Sequence, residues 1–339
     1  MKNLIFNLCS AKAVSGEEAP VKEAVRLALE TYAEVSTDQN GNLFAKFGKK
    51  DAKYSIMLDA HIDQIGLIIT HIDENGFVKA SPCGGIDRRV LQADRFTILG
   101  KTEVPCLCCS TPPHLSNGKE DKAVAAGEIW FDTGLASEEL REIVSLGDRI
   151  VFSAEPKLLL GNRVLSPALD NRAGVAALMY CGDILKRHEL NCRVIISLSS
   201  REEVNMAGAK TAAFSLYPSE AIAVDVSFAK QSGVPSEGRG VLDEGPMIGI
   251  SPGLDKDITS KLITAAKVKK LNYQLEVMGG VTGTTADAIS STRGGIRTGL
   301  VSIPMRSMHT AVEIASLNDI AAVGELLAEY ILERSVTVC

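Results

Sequence analysis

The chain has 339 residues, of which 45% are hydrophobic and 23% charged, with a formal net charge of −6. This composition suits a globular protein with a large core, and at roughly 150 residues per domain the length allows about two domains. The acidic balance, the lack of a basic tract and an aromatic content of 5% argue against nucleic acid as a partner, whether duplex or stacked single strand.

At the amino terminus, "MKNLIFNLCSAKAVSGEEAP" has too short an apolar run for the core of an export signal, which needs about 7–15 residues. No segment approaches the roughly 18 consecutive apolar residues of a membrane span. The expectation is a cytoplasmic protein with no membrane partner. Its cysteines fit that setting: "CLCC" (Cys106, Cys108, Cys109) lacks metal-type C-x-x-C spacing and reads as reduced thiols within a strand.

"SGEEAPVKEAVRLALETY" predicts a helix opened by a capping box between Ser15 and Glu18,. "AEVSTDQNGNLFAKFGKK" reads as a hairpin turning at Asn40-Gly41,. "YSIMLDAHIDQIGLIIT" reads as a buried strand that meets polar residues and resumes. From 70 to 162 the texture changes to short strand-like pieces broken by Gly, Pro, Asp and Asn, with one short helical pattern, "SEELREIVSLG",. Beyond Asn162 helices and strands alternate to the closing helix "SLNDIAAVGELLAEYILERS". Alternation of this kind predicts an α/β fold with a helix-flanked, mixed to parallel sheet. Residues 1–69 and 163–339 would form this domain together, and 70–162 an inserted, small β-rich unit.

Five stretches place polar residues at predicted strand ends or a helix start, where α/β folds gather ligands. They are "AHID" (His61, Asp63), "ALDNR" (Asp170), "REEV" (Glu202, Glu203), "AVDVS" (Asp225) and "SMHTAVE" (His309, Glu313). Taken alone, Asp170 reads as a cap for the helix that follows, and His309 as an ordinary loop histidine. The pair His61 and Asp63 says more. On one strand face, the carboxylate can accept from one ring nitrogen and leave the other free for a metal. Adjacent Glu202 and Glu203 at a core's edge repel one another and call for a positive partner. Two imidazoles and three carboxylates (Asp170, Glu203, Asp225), with no thiolate, suit Zn²⁺, Co²⁺ or Mn²⁺. Divided evenly, they give two ions one His and one carboxylate each, with one carboxylate to bridge.

"SGEE", "DQNGN", "AHIDQIG", "SPALDNRAG", "REEVNMAGA", "AVDVSFA", "TADA" and "IPMRSMHTAVEIASLND" together resemble the tetrahedral-aminopeptidase family of dinuclear metallopeptidases. That family includes glutamyl and deblocking aminopeptidases, and some members carry a cellulase or endoglucanase label. The resemblance implies a zinc-peptidase-like catalytic domain interrupted by a barrel-like insertion that mediates dimers, with dimers assembling into a dodecamer in many members. It implies two divalent metal ions per subunit. His61 and Asp225 would hold one, Glu203 and His309 the other, and Asp170 would bridge them, with its peptide bond to Asn171 expected to be cis. Glu202 would be the general base and Asp63 the group orienting His61, acting on peptides with a free amino terminus.

The chain departs from the family pattern at Gln64, Asn205-Met206 and Ala311, changes that bear on the pocket and not on the ligands. Arg293 or Lys256 could serve a pocket for acidic side chains, though each reads more readily as solvated surface charge. Rival functions are a glycoside hydrolase, a non-catalytic homologue and an amidase or deacylase. "PPHLSNGKEDKAV", with His114, reads as an exposed loop,.

Overall fold

A computed structural model describes residues 1–116, 122–235 and 237–337. Three apolar runs of the alternating region and one from the amino-terminal segment become four neighbouring parallel strands in the order Arg193–Ser199, Ser55–His61, Glu220–Phe228 and Arg297–Arg306. Strands so apolar need cover on both faces. Ile56 and Leu58 pack into one core with the helices Lys2–Ser10, Ala19–Glu30, Leu169–Leu185, Lys256–Lys269 and Leu317–Thr337. Met57, between them, points through the sheet onto Ala209, Ala213 and Ile289 of the helices Ala207–Leu216 and Thr285–Ser290. Antiparallel strands flank the parallel centre and make an eleven-stranded mixed sheet. No helix of the described residues is long and apolar enough to cross a membrane.

The strand pattern of the middle region closes into a six-stranded antiparallel barrel whose strands run from Gly66–Ile72 to Arg149–Phe152. Its interior is lined by Leu67, Phe96, Ile98, Phe131 and Phe152. Cys106 and Cys108 belong to this core, and burial pushes both thiols up to about 12, which suits inert packing. The chain enters the barrel almost without a connection: Ser55–His61 ends in the sheet and Gly66 begins the first barrel strand. A side chain at Gly66 would meet Val14 Cγ2 at 2.6 Å and the Ile150 carbonyl oxygen at 2.8 Å. At the far side, Lys157–Leu159 pairs with Arg163–Ser166 on the large sheet. The turn through Gly161 and Asn162, both at positive φ, thus folds the residues before 163 back onto the sheet instead of ending the barrel there. Of the loop 112–124, residues 117–121 lie outside the described residues, and His114 is exposed.

The capping box expected at Ser15 and Glu18 does not form. The helix starts at Ala19 with no side-chain cap, Glu18 Oε1 accepts the Gly16 N–H at 2.6 Å, and the Ser15 hydroxyl donates instead to Asp63 Oδ2 at 2.5 Å.

Glu220 begins the Glu220–Phe228 strand, at the sheet end remote from the ligand candidates, and is fully buried. Arg334 of the last helix meets it with two bonds of 3.0 Å, while Tyr330 and Tyr54 hydroxyls donate at 2.8 and 2.6 Å. Removing one partner of such a pair leaves a buried charge without compensation, a loss of about 3–5 kcal/mol. Arg334→Leu is expected to lower the urea unfolding free energy by that amount, and Glu220→Leu/Arg334→Leu to recover most of it. A double variant as unstable as the single one would show that helix packing, not the ion pair, carries the effect.

Candidate metal centre

Because the four central strands run parallel, their carboxyl ends lie at one edge of the sheet. His61 is the last residue of its strand, and Glu202 and Glu203 follow Ser199 after a short turn. Asp225 lies toward the end of the third strand, and His309 just beyond the fourth. Asp170 follows the flanking strand Arg163–Ser166, which runs in the same direction, and lies at the start of Leu169–Leu185. Six of the seven expected site residues, His61, Asp170, Glu202, Glu203, Asp225 and His309, line one cavity of about 300 Å³; Asp63 does not.

Asp170 is central. Its Oδ1 lies 3.1 Å from His61 Nε2 and its Oδ2 lies 3.3 Å from His309 Nε2. Asp225 Oδ1 and Glu202 Oε2 stand 3.7 and 4.0 Å from the His61 nitrogen, and Glu203 Oε2 stands 3.7 Å from the His309 nitrogen. Each imidazole is oriented from behind. His61 Nδ1 lies 3.1 Å from the Asp63 carbonyl oxygen, and His309 Nδ1 lies 2.8 Å from the Gly85 carbonyl oxygen. A carbonyl only accepts, so both Nδ1 atoms carry hydrogen and both Nε2 atoms are turned to the carboxylates.

The local sequence explains why Asp170 is available. Asn171, not Asp170, caps the helix: its Oδ1 accepts the Gly174 N–H at 3.0 Å and its Nδ2 donates to the Val224 carbonyl at 2.8 Å. The Asp170–Asn171 peptide is cis. Glu313, noted in sequence without a role, is buried and braces two ligand candidates through their backbones. It accepts from the Asp170 N–H at 3.1 Å and the His309 N–H at 2.8 Å.

Asp63 differs from expectation. Its carboxylate is 3.6 Å from His61 Nδ1, farther than its own carbonyl. It receives instead the N–H groups of Glu202 at 2.9 Å and Glu203 at 3.2 Å, together with the Ser15 hydroxyl. The strand ends at His61, so the alternation that would have put residues 61 and 63 on one face no longer applies. Asp63 therefore fixes the turn that carries the glutamates. From the other side, the "DQNGN" turn supports Ser200: Asn42 Oδ1 accepts its N–H at 2.9 Å, and the Ser200 hydroxyl donates to the Asn40 carbonyl at 2.7 Å.

Electrostatics show what these groups lack. Burial works against protonation of His61, but Glu202, Asp170, Asp225 and Asp63 outweigh it and hold the imidazole well above its usual range. Burial also disfavours charge on His309, yet Asp170 and Glu203 raise it to about 10. Desolvation, then neighbouring carboxylates, pushes Glu202 up to about 8 and Glu203 well above the ordinary value. Glu203 Oε1 is buried with no hydrogen-bond partner. An excess of dry carboxylates, an orphaned oxygen and two imidazole nitrogens turned inward fit a divalent cation site. The close triads His61–Asp170–Asp225 and Asp170–Glu203–His309 share Asp170.

Gly85 is the contributor that the sequence reading passed over. It comes from the barrel segment, and a Cβ there would sit 2.8 Å from His309 Nδ1. The pair Gly84-Gly85 in "SPCGG" was the available signal, since paired glycines mark close backbone approach. Gln64 faces away from the cluster, accepting from the Ala13 N–H and buried Arg172. Asn205 Oδ1 accepts the Ala207 N–H, and Met206 takes a left-handed backbone at φ 57°. Ala311 packs against the barrel core. Arg293 stacks on Phe214 and Tyr217, and neither it nor Lys256 lines the cavity.

Residues 41–326 match the M42 glutamyl aminopeptidase family. A lysyl aminopeptidase of Pyrococcus furiosus is 31% identical over 326 residues, covering 94% of this chain and 92% of its own. An aminopeptidase from Desulfurococcus kamchatkensis superposes with a TM-score of 0.91 at 32% identity, with 98% and 94% of the two chains covered. The Pyrococcus horikoshii TET1 peptidase, which can assemble into a tetrahedron or a large octahedral shell, gives 0.85 at 28% identity over 97% and 98%. The chain thus belongs to the M42 glutamyl aminopeptidase family, hydrolases that act on peptide bonds.

Proposed function

We propose that this chain is a dinuclear metal-dependent aminopeptidase that removes residues from peptides with a free amino terminus, with Glu202 as general base. The observation that carries the reading is Asp170, whose two oxygens face two different imidazoles. His61 and Asp225 would hold one cation and Glu203 and His309 the other, with Asp170 between them. Nitrogen and oxygen donors without thiolate favour Zn²⁺, with Co²⁺ and Mn²⁺ as alternatives. Such a pair, when bound, supplies Lewis acidity that polarises a carbonyl and makes water acidic near neutral pH.

Glu202 lines the cavity and also falls in a third close group, His61–Glu202–Glu203, but it lies outside the two triads that share Asp170, and it is assigned proton transfer instead of ligation. Its carboxylate takes a proton from the attacking water as the water oxygen joins the peptide carbonyl carbon. It returns that proton to the amide nitrogen as the C–N bond breaks and the shortened peptide leaves as an amine. Asp63, through the N–H groups of Glu202 and Glu203, keeps both side chains directed into the cavity. The barrel is proposed as a dimerisation surface within a larger homo-oligomer, by analogy with the Pyrococcus horikoshii shells.

Glu202→Gln is expected to retain bound metal, measured by elemental analysis, while kcat on aminoacyl-anilides falls about 10²- to 10⁴-fold. Turnover near wild type would remove Glu202 from the base role. Asp63→Ala should weaken divalent-ion affinity about 10- to 100-fold in a competition titration against a chromogenic chelator, since it frees the turn bearing both glutamates. Unchanged affinity would limit Asp63 to a folding role. Light scattering after size exclusion should give a mass well above that of one chain, and a monomer at micromolar concentration would refute the assembly.

A further inference from the structure

Two residues beyond Asp170, the same helix carries Arg172, a fully buried arginine with no carboxylate among its hydrogen-bond partners. Its Nη1 donates to the Ile62 carbonyl, and its Nη2 donates to the Ala11 carbonyl at 3.3 Å and to Gln64 Oε1 at 3.4 Å. Its Nε is buried with no hydrogen-bond partner. Ile62 lies between His61 and Asp63, and its own N–H donates to the Ser199 carbonyl at 2.8 Å. The guanidinium thus grips the stretch that carries His61, and it does not itself line the cavity.

A buried guanidinium among neutral acceptors is costly, because it gives up hydration without gaining a paired anion. One of those acceptors is the side chain of Gln64, the uncharged counterpart of glutamate in nearly the same shape. A carboxylate at that position would pair with Arg172 and cancel its charge. With glutamine there, the charge acts over a longer range, which the low dielectric of the core favours. Burial lowers the guanidinium to about 10, so it stays charged at neutral pH, and the carboxylates of Asp63 and Glu18 counter that lowering. Asp63 in turn accepts the N–H groups of Glu202 and Glu203, so the field of Arg172 falls on the acid-rich end of the sheet. A fixed positive charge there relieves repulsion among the acids and opposes any cation that binds them.

We infer that Arg172, left unpaired by Gln64, is a fixed counter-charge to the acid cluster and lowers its affinity for divalent cations. This rests on the cation-binding reading of the site and adds what sets the strength of binding. Two roles of the arginine are separable: a charge that acts through space, and a hydrogen-bonding fork that holds the His61 stretch. Gln64→Glu cancels the charge and keeps the fork. Arg172→Lys keeps the charge and loses the fork, and Arg172→Met loses both.

The test measures Zn²⁺ affinity of the full chain, stripped of metal, by competition with a chromogenic chelator at fixed pH and salt. Gln64→Glu should tighten binding roughly tenfold. Gln64→Met, which removes the acceptor without adding charge, should stay near wild type. Arg172→Met should bind more tightly than Arg172→Lys, since both lack the fork and only the lysine is charged; this pair serves equally where Gln64→Glu does not fold. Unchanged affinity in Gln64→Glu, or equal tightening in Gln64→Met, would overturn the inference and leave the metal centre intact. So would Arg172→Met and Arg172→Lys weakened alike, which would make Arg172 a positioning residue for His61. A wild-type protein that takes up no Zn²⁺ would overturn both the inference and the dinuclear reading.

Discussion

The structure turns on one contact: a buried carboxylate, Asp170, with each oxygen against the Nε2 of a different histidine. Two further buried or nearly buried acids, Asp225 and Glu203, approach the same nitrogens. Like charges packed this closely, away from water, repel strongly and do not remain together without positive charge among them. Much of the surrounding fold serves to hold them there. Asn171 takes over the helix cap so that Asp170 can face inward, and Glu313 ties the backbones of Asp170 and His309. Asp63 gathers the N–H groups of the adjacent glutamates.

The parallel sheet makes this convergence possible. Strands that run the same way deliver their last residues to one edge, so positions far apart in sequence become neighbours. The opposite edge is closed by a different solution, in which one carboxylate, Glu220, is matched by an arginine and two tyrosines from separate elements. One end of the sheet thus has its buried charge balanced within the chain. The other end leaves acids in excess, and they face a cavity.

The alternation of helix and strand after residue 162, and the Gly- and Pro-broken strands before it, showed both architectural units. The ligand candidates were legible because histidines and carboxylates at strand ends are unusual in apolar surroundings. What was not legible depends on backbone. Ser15 and Glu18 have the spacing of a capping box, but the Asp63 carboxylate competes for the serine hydroxyl. His61 and Asp63 have the spacing of strand neighbours, but the strand stops between them. Gly85 acts through a carbonyl oxygen, an atom that every residue possesses, so only the crowding at its Cα distinguishes it. The residues at 157–159 join the sheet through a hairpin whose partner lies beyond the expected boundary.

The carbonyl of Gly85 leaves a mechanical consequence. His309 is carried by the sheet, yet its ring is steadied by the barrel, and the Asp87 N–H also reaches the His309 carbonyl at 3.3 Å. The site is therefore shared across a seam, like a lock whose bolt and keeper sit on separate panels. Any sliding of one panel against the other would bear on the contact between that imidazole and Asp170. Forces applied to the barrel from outside would then reach the chemistry through that ring and through Glu203, which lies against Gly84 of the same segment.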